Sequence, residues 1–447
     1  MASASLDILN SAPGYVLKNA RVPIVCLPTV LTDDLIGRSH EGLAEADIVV
    51  EDGKIAAIVV AGMGTAPAGG LPMIDMRGGQ VWPTFVDMHT HIDKGHIWER
   101  SRNPTGDFEG ALLTVRADRE ANWTREDIEA RMEFSLRSAY AHGTSLLRTH
   151  IDSLPPHHKL TWPLFREMRE RWKGRVDLQA VCLMPVEATR DADYFEALID
   201  EVAASGGLIG GHPDMGPELE SDLDRLLRAA MDRGLDIDFH IDETRDPGAR
   251  TLRAVADAVI RNGFEGKVVA GHCCSLARQE SDEAARTIDR VVEAGIGVVS
   301  LPMCNMYLQD RFAGCTPRWR GVTLFQELRS AGGDVAVASD NTRDPFYAYG
   351  DLDPVEVFRE AVRILHLDHP LDEAAKVVTT SPAKMLRRPD SGVLAVGGPA
   401  DMVLFSARFW SEFLSRPQAD RMVLRSGRPI DRTLPDYRDL DPVAGIA

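Results

Sequence analysis

The chain has 447 residues, 44% of them hydrophobic and 26% charged, an ordinary globular composition that excludes a largely disordered or fibrous protein. Its 50 lysines and arginines against 68 aspartates and glutamates leave a net charge of −18, which repels phosphate backbones and anionic lipids, so we expect neither a nucleic-acid nor a membrane partner. Six cysteines without a C-x-x-C pair indicate no disulfide framework and no zinc knuckle.

Neither a leader peptide nor a membrane span is predicted. The first residues lack a basic segment followed by an apolar core, which a secretory leader requires. The apolar runs stay shorter than the roughly 18 residues of a spanning helix. We therefore expect a cytoplasmic homo-oligomer that acts on a small molecule.

Both ends of the chain are predicted to be rich in β-strands. Near the N-terminus two apolar runs flank Asp52-Gly53, and such a pair between apolar runs is typical of a β-hairpin. Short apolar runs return at residues 400–405 and 422–428. We predict that residues 1–80 and 385–447 together form a small β-sandwich domain.

Between these segments β-branched runs alternate with helical stretches, a pattern typical of repeated βα units. One helix is predicted to begin at Thr124, with Asp127 three residues on, and to stop at Gly143. The predicted strands are 84–91, 144–151, 177–183, 206–212, 235–242, 267–273, 296–301 and 334–340.

The spacing of the strand ends, mostly about 30 residues, is the repeat of a (β/α)8 barrel. The fold class is therefore predicted as α/β, with a (β/α)8 TIM barrel over residues 81–384 beside the small β domain. A longer first interval leaves an inserted loop at 92–123. Active groups of such barrels lie at the C-terminal ends of the strands, so catalytic residues are expected there.

Six of the 13 histidines and one aspartate fall at those ends, a concentration that packing alone does not readily explain. They are His89, His91, His150, His212, His240, His272 and Asp340. Imidazole and carboxylate are common ligands of zinc, so this pattern favours a metal site.

His89 and His91 are two apart on a strand, so both point to the same side and can reach one ion. A hydrogen-bonded core pair is the alternative. His240 can add a third imidazole from the fifth strand. Glu243, three residues later, can act as a proton shuttle beside a metal-bound water. Its alternatives are a helix N-cap and a solvated acidic turn.

Asp340 can supply an oxygen ligand, which completes three imidazoles and one carboxylate around a single ion. His272 is interpreted as a group beside the developing oxyanion that orients the attacking water. The alternatives are an Asx turn for Asp340 and a satisfied core histidine for His272. The catalytic residues are thus predicted to be Glu243, His272 and Asp340.

At these residues the sequence resembles the amidohydrolase superfamily, and within it the cytosine deaminase-like branch. The resemblance covers most of the chain, with several motifs in the family's order. The motifs are His89-x-His91, Arg148-Thr-His150-Ile-Asp152, Asp177-Leu-Gln179, His240-x-Asp242-Glu243, Gly271-His272, Asn305-Met-Tyr-Leu-Gln309-Asp-Arg311-Phe312, and Asp340 with Asp344-Pro-Phe346-Tyr347.

The resemblance implies a mononuclear zinc or iron centre, with Glu243 as the acid/base and His272 positioning the attacking hydroxide. The implied ligands are His89, His91, His240 and Asp340. Binuclear relatives carry a carboxylated lysine at the end of strand four. This chain reads Gly210-Gly-His212-Pro there, which favours one metal ion.

The residues expected to contact the substrate ring depart from the family pattern. Glu187 lies in the region where cytosine deaminases carry a glutamine, and Asn341 stands where they carry a second aspartate. Phe346 matches their stacking tryptophan, and His150 is the fourth predicted substrate contact. A pterin, an isocytosine-like or a creatinine-like ring is therefore expected in place of cytosine.

We predict a metal-dependent hydrolytic deaminase that releases an exocyclic amino group of a small N-heterocycle as ammonia. One alternative is an amidohydrolase that releases an alkylamine from a triazine-type ring or opens a cyclic amide. Another is a non-catalytic barrel that only binds ligands. The released product separates the enzymatic alternatives, and bound metal separates them from the third.

Overall fold

The computed structural model of the protein describes residues 3–29, 39–62 and 70–446. Within those ranges, no helix combines the length and the apolar character that crossing a bilayer requires.

Strands and helices alternate through the middle of the chain. The strands are β1 (Gly14–Pro23), β2 (Ser39–His40), β3 (Leu43–Glu51), β4 (Lys54–Val60), β5 (Met73–Asp75), β6 (Val81–Pro83), β7 (Phe85–Thr90), β8 (Thr144–Asp152), β9 (Asp177–Leu183), β10 (Ile209–Gly211), β11 (Ile237–Ile241), β12 (Val268–His272), β13 (Gly297–Ser300), β14 (Val335–Val337), β15 (Met402–Leu404), β16 (Met422–Arg425) and β17 (Arg428–Pro429). All eight strands predicted for the middle of the chain are present, as β7–β14.

The α-helices follow the same order. They are α1 (Ser3–Ser11), α2 (Phe108–Asn122), α3 (Arg125–His142), α4 (His158–Trp172), α5 (Ala192–Ala204), α6 (Leu219–Arg233), α7 (Thr251–Asn262), α8 (Ser281–Glu293), α9 (Pro302–Leu308), α10 (Phe325–Ser330), α11 (Pro354–Leu365), α12 (Thr380–Met385), α13 (Trp410–Ser415) and α14 (Asp441–Ala444). As predicted, α3 starts after Thr124, whose Oγ1 accepts a hydrogen bond from Asp127 N at 3.3 Å, and it ends before Gly143, which has φ 102°.

The chain divides into two compact units. The first comprises Met1–Val86, Ala139–Ser145 and Asp353–Leu434, and the second Asp87–Ser138, Leu146–Leu352 and Pro435–Ala447. The boundary near residue 80 lies close to the predicted one. At the other end the bounds differ: residues 353–384 belong to the first unit and the last residues to the second.

The C-terminal segment belongs to the second unit because its aromatic and backbone groups are held there. The ring of Tyr437 stacks on Phe134, with 5.5 Å between centroids, and the Arg343 guanidinium lies 4.2 Å from the Tyr437 centroid. Arg100 NH1 donates to Val443 O at 2.7 Å. Such contacts join residues distant in sequence, so the pattern of short β-runs could not show them.

The first unit contains two sheets that share one core. The five-stranded sheet has the order β2-β3-β1-β5 with β4 on β3, and the four-stranded sheet has the order β17-β16-β15-β6. Leu17 and Ile48 of the first sheet and Met402 and Leu424 of the second belong to the same buried cluster. Segments from both ends of the chain therefore bury their apolar faces together.

The predicted Asp52-Gly53 hairpin is confirmed. β3 and β4 are antiparallel, with Glu51 opposite Lys54. Asp52 and Gly53 both have positive φ, 48° and 76°. Positive φ at both turn residues gives the backbone twist that matches two right-handed strands, which is why Asp-Gly is favoured there.

The second unit is built on parallel strands, so the α/β class is confirmed. β10 to β14 form a five-stranded sheet in sequence order with every neighbouring pair parallel. β7, β8 and β9 form a three-stranded sheet. Isolated parallel bridges join Val181 to Leu208 and Thr90 to Asp340. The C-terminal ends of neighbouring strands consequently meet at one edge.

The insertion at 92–123, predicted as a loop, holds the 15-residue helix α2. Asp107 caps the helix by accepting a hydrogen bond from Gly110 N at 2.9 Å. Arg100 NH2 forms an ion pair with Asp118 Oδ2 of the same helix at 2.9 Å. The apolar pattern does not predict this helix, because Leu112 and Leu113 are apolar but half exposed or more, and they interrupt the amphipathic periodicity.

Candidate active site

The histidines at the ends of the first and fifth barrel-region strands converge. His240 Nε2 lies 3.2 Å from His89 Nε2 and 3.1 Å from His91 Nε2. Asp340 Oδ1 lies 3.7 Å from His89 Nε2 and 3.4 Å from His91 Nε2. The four predicted ligand side chains therefore surround one point.

Backbone register explains this convergence. Asp340 lies three residues beyond β14, where its N–H donates to His89 O at 2.8 Å and its φ is 64°. Gly271 faces His240 in the β11–β12 register, and a Cβ at position 271 would lie only 2.9 Å from His89 Cε1. Glycine there leaves the space that the His89 ring fills.

The donor atoms fit a divalent cation. Burial lowers the pKa of His89, His91 and His240 well below the ordinary value, so the rings are neutral and retain a lone pair for a metal. Among the described residues, neither carboxylate oxygen of Asp340 has a hydrogen-bond partner. A buried, unpaired carboxylate is costly, and a cation at this point would satisfy it.

Further donors surround the same point. One set of ligand atoms within 4.8 Å of one another comes from His89, His272 and Asp340, and another from Glu243, Cys304 and Asp340. The ring centroids of His89 and His150 are 4.0 Å apart, and His150 shares a third such set with His89 and His240.

Glu243 and His272 form a hydrogen-bonded group with Asn305. Asn305 Nδ2 donates to Glu243 Oε1 at 3.0 Å and lies 3.0 Å from His272 Nδ1. Glu243 Oε1 is 3.3 Å from the same ring nitrogen. In the described structure His272 Nε2 is buried without a hydrogen-bond partner, so one edge of the ring is held and the other is available.

Burial and the nearby carboxylates act on the pKa of His272 in opposite directions. Burial lowers its pKa, but the carboxylates of Glu243 and Asp340 outweigh that effect and raise the pKa above the ordinary value. Because the Asn305 amide nitrogen is a donor, Nδ1 accepts from it, the ring hydrogen lies on Nε2, and the unpartnered Nε2 is therefore a donor.

Asp242, and not its neighbour Glu243, is bound by the start of the following helix. Asp242 accepts hydrogen bonds from Thr251 N and Leu252 N, both at 3.0 Å, at the start of α7. Its φ of 48° turns the backbone there. Asp242, and not Glu243, thus accepts the hydrogen bonds of the free N–H groups at the start of α7.

These groups line a cavity of about 1460 Å³. His91, His240 and Glu243 lie on its wall, and α2 contributes Phe108 and Arg119. The volume exceeds the range of roughly 300–1,000 Å³ usual for small-molecule sites. A ligand of two fused rings therefore has room.

Two predicted substrate contacts, Phe346 and Asn341, lie on the cavity wall. Asp344 fixes both: its Oδ1 accepts from Phe346 N at 2.8 Å, and its Oδ2 accepts from Asn341 Nδ2 at 2.7 Å. The Asn341 Oδ1 also faces the Cys304 thiol, with 3.8 Å to the sulfur. The Asn341 amide is thus largely engaged by the protein.

Comparison with known proteins agrees with this geometry. Residues 187–431 match the family model described as an amidohydrolase family. The pterin deaminase of Rhizobium rhizogenes is 64% identical over 435 residues, 97% of this chain and 98% of that protein. This chain belongs to the amidohydrolase family.

Other relatives of this amidohydrolase are more distant. The N-isopropylammelide isopropyl amidohydrolase of Pseudomonas sp. strain ADP is 27% identical over 372 residues, 80% of this chain and 87% of that protein. The solved structure of 5-methylcytosine deaminase from Klebsiella pneumoniae, liganded with 5-fluorocytosine, matches with a TM-score of 0.78 at 24% identity, covering 95% of this chain and 98% of that one. That likeness shows a TIM-barrel-like α/β fold, and the resemblance seen in the sequence is confirmed.

The end of strand four gives no support to a second metal ion in this amidohydrolase. A Cβ at Gly210 would lie 2.3 Å from Asp238 O, so no side chain fits there. His212 is partly exposed, with its Nδ1 3.4 Å from Asp214 Oδ2.

Two other predicted substrate contacts lie elsewhere. Glu187 is exposed on a 3₁₀ turn, Val186–Arg190, and is not among the described residues that line the cavity, whereas Met184 is. A backbone turn after β9 carries the acid away from the site. His150 is fully buried beside the metal-site histidines and is also not among those lining residues, because its neighbours shield it.

Three residues of the site were not predicted individually: Asn305, Asp344 and Lys94. The first two lie within motifs that carried the family resemblance. Lys94 follows His91 by three residues and belongs to the segment 92–123 that the sequence predicts as an inserted loop. A lysine directly after Asp93 at a strand end was the available signal.

Proposed function

We propose that this amidohydrolase is a hydrolytic deaminase that removes an exocyclic amino group, as ammonia, from a pterin-type heterocycle. The observation that carries the proposal is the convergence of His89, His91, His240 and Asp340 beside Glu243 and His272 at one cavity. The 64% identity to a pterin deaminase over almost the whole chain supports the ring class, and the cavity volume supports two fused rings.

We further propose that β7–β14 close into a (β/α)8 barrel and that the two sheets of the first unit form a β-sandwich. The parallel bridges beside β9 and at Thr90–Asp340 support closure. The common core of the two sheets supports the sandwich. A closed barrel keeps the strand ends at fixed spacing, which a site built from several strands needs.

The metal ion of the proposal is zinc or iron, held by the three histidines and Asp340. Imidazole and carboxylate ligands suit both ions. Bound there, a divalent ion supplies Lewis acidity that lowers the pKa of water toward neutrality.

Glu243 is the proposed acid and base. Its carboxylate accepts a proton from the attacking water and transfers it to a ring nitrogen, which makes the amino-bearing carbon electrophilic. After the water oxygen has bonded to that carbon, Glu243 accepts the second proton from the resulting hydroxyl group and donates it to the amino group. The C–N bond then breaks with its electron pair on nitrogen, ammonia leaves, and a ring carbonyl remains.

His272 and Asn305 have supporting roles. His272 donates from its free Nε2 to the oxygen that gains negative charge during addition. Asn305 holds the Glu243 carboxylate and the other edge of His272 at hydrogen-bonding distance. Asn305 therefore fixes the orientation of Glu243 relative to His272.

A second candidate reaction releases an alkylamine from a triazine ring, which the 27% identity to the Pseudomonas protein favours. It uses the same residues and differs only in the leaving group. The non-catalytic alternative is not supported, because the predicted ligands and the acid/base are all present and convergent.

Product analysis tests the proposal. The zinc- or iron-loaded full chain is incubated with pterin, cytosine and N-isopropylammelide, and ammonia and isopropylamine are measured separately. We expect ammonia from pterin at a kcat/KM at least roughly 100-fold above that for cytosine, within ordinary enzyme discrimination. Isopropylamine release as the fastest reaction, or no product from any of the three, would contradict it.

A further inference from the structure

We propose that Lys94 is a specificity-determining residue of this site, whose ammonium group binds the carbonyl oxygen of an amino-oxo ring. The inference rests on the proposed deaminase function and adds a chemical requirement to it. The substrate ring needs a neutral acceptor oxygen as well as the amino group that leaves.

Lys94 is a buried cation that faces the cavity. Its side chain is 7% exposed, and it lies on the cavity wall with His91 and Glu243. Among the described residues its Nζ makes no hydrogen bond, and its nearest ionic contact is Asp152 Oδ1 at 3.9 Å. Burying an ammonium is costly unless its hydrogens are satisfied, so this group is arranged for a ligand.

The charge of Lys94 is maintained by its surroundings. Burial lowers the pKa of Lys94, but the nearby carboxylates, Asp152 and Asp344 foremost, outweigh that effect and raise it. Both of these carboxylates have other partners. Asp152 Oδ2 accepts from Arg119 NH1 at 2.8 Å, and Asp344 holds the backbone of Phe346. Lys94 is therefore stabilised by the field of several acids and leaves its hydrogens for another acceptor.

Phe346 supports the ammonium from one side. The Lys94 Nζ lies 4.9 Å from the centroid of the Phe346 ring, a cation–π geometry. This face of Phe346 is consequently occupied by Lys94. Phe346 thus helps to position the cation, and Phe108 meets the Phe346 ring edge-on, with 5.5 Å between centroids.

The local charges select the kind of group that Lys94 binds. An amino group of the ligand would be repelled by the ammonium, and a carboxylate would meet the acids around Lys94, including Asp93 and Asp152. A neutral carbonyl oxygen avoids both penalties and accepts an ammonium hydrogen bond. In pterin the ring that bears the amino group also bears such an oxygen at position 4.

A comparison of oxygen with sulfur at position 4 tests the inference. The probes are pterin and 2-amino-4-thioxopteridine, because sulfur is a poorer hydrogen-bond acceptor than oxygen and the leaving group is the same. The enzymes are metal-loaded wild type, Lys94→Met, Lys94→Gln and Arg245→Met. Arg245 is an exposed arginine on the wall of the same cavity, so its variant removes the same charge from a different place.

We expect Lys94→Met to lower kcat/KM for pterin by roughly 10- to 100-fold, the usual effect of losing a hydrogen bond to a charged group. The kcat/KM for the thio analogue should fall much less. The ratio of kcat/KM for pterin to that for the thio analogue, the preference for oxygen, should therefore fall to about 2-fold or less. Lys94→Gln keeps an N–H donor and should recover part of the preference for oxygen. Arg245→Met should show the same preference for oxygen as the wild type.

Equal losses for both substrates in Lys94→Met, with an unchanged unfolding temperature, would overturn the inference, as would an undiminished preference for oxygen. Lys94→Gln provides the same comparison where the methionine variant folds poorly. A wild type that releases no ammonia from pterin refutes the proposed function itself. A wild type that does so, with no effect at Lys94, refutes only this inference.

Discussion

The two sides of the cavity are built differently. On the side of the proposed metal ion, His89, His240 and Asp340 come from strand ends or the residues just after them, and their donor atoms lie within a few ångströms of one another. On the substrate side, Lys94 and Phe346 lie in loops, and α2 belongs to an insertion.

This difference shows what each side depends on. The C-terminal ends of parallel strands lie on the same side of the sheet that contains them, so residues at those ends can meet whatever the conformation of the loops. Loop residues meet according to the turns and ion pairs around them, such as Arg119 with Asp152. The proposed metal side is therefore set by the fold, and the substrate side by loop side chains and their local contacts.

The largest effect is expected on the metal side, from Glu243→Gln. The change keeps the size of the side chain and removes its ability to accept the water proton, so kcat should fall roughly 10²- to 10⁴-fold while metal content stays at the wild-type value. Steady-state kinetics and elemental analysis measure both. Glu187→Gln is the matched control, because the exposed Glu187 lies outside the cavity; a comparable loss there would break the comparison.

Asp340→Asn is expected to weaken metal binding. The amide lacks the charge that pairs with the cation, and affinity should fall more than about 100-fold, beyond the loss typical of residues that only support a ligand. Competition with a chelator measures it. Asp246→Asn, at an exposed carboxylate on the same cavity wall, should leave affinity unchanged, and equal losses in both variants would contradict the assignment.

Asn305→Ala should lower kcat by roughly 10- to 100-fold. It frees the Glu243 carboxylate and the Nδ1 edge of His272, so KM and metal content should change little. Gln309→Ala removes a hydrogen bond to the Glu243 backbone oxygen instead, and we expect a smaller loss. If KM rises and kcat is unchanged, Asn305 acts on substrate binding and the positioning role is wrong.

The smallest effect is expected from Arg119→Met on the substrate side. Losing the bond to Asp152 loosens α2 at the cavity wall, and KM for pterin should rise about 2- to 10-fold with kcat nearly constant. Arg116→Met on the same helix is the control, because its ion pair with Glu120 is exposed and contributes little. If kcat falls by a larger factor than KM rises, α2 acts on the reacting groups as well as on substrate binding.

The strand-end histidines show how much of this site a sequence can reveal. His89 and His91 were predicted to share one ion because the strand period places alternate residues on one side, and their contacts with His240 agree. Glu243 was predicted from its spacing after His240, and it does lie on the cavity wall. These inferences needed only periodicity and the parallel arrangement of strands.

The surroundings of the predicted substrate contacts depend on local features that a sequence pattern does not show. Glu187 follows β9 as expected, but the 3₁₀ turn exposes it. Phe346 lies on the cavity wall as expected, and Lys94 Nζ lies 4.9 Å from the centroid of its ring. Neither the turn nor the cation–π contact has a periodic signature.

The sequence by itself determined the α/β class, the eight strands of the middle segment, the hairpin at Asp52-Gly53 and the residues at the strand ends. Apolar periodicity and turn chemistry act over a few residues, so they can be recognised without a structure. Only the tertiary structure decided that residues 435–446 join the second unit, that α2 forms part of the cavity wall and that Lys94 faces the cavity. Those features depend on contacts between segments far apart in the chain, where packing and the balance of buried charges select one arrangement.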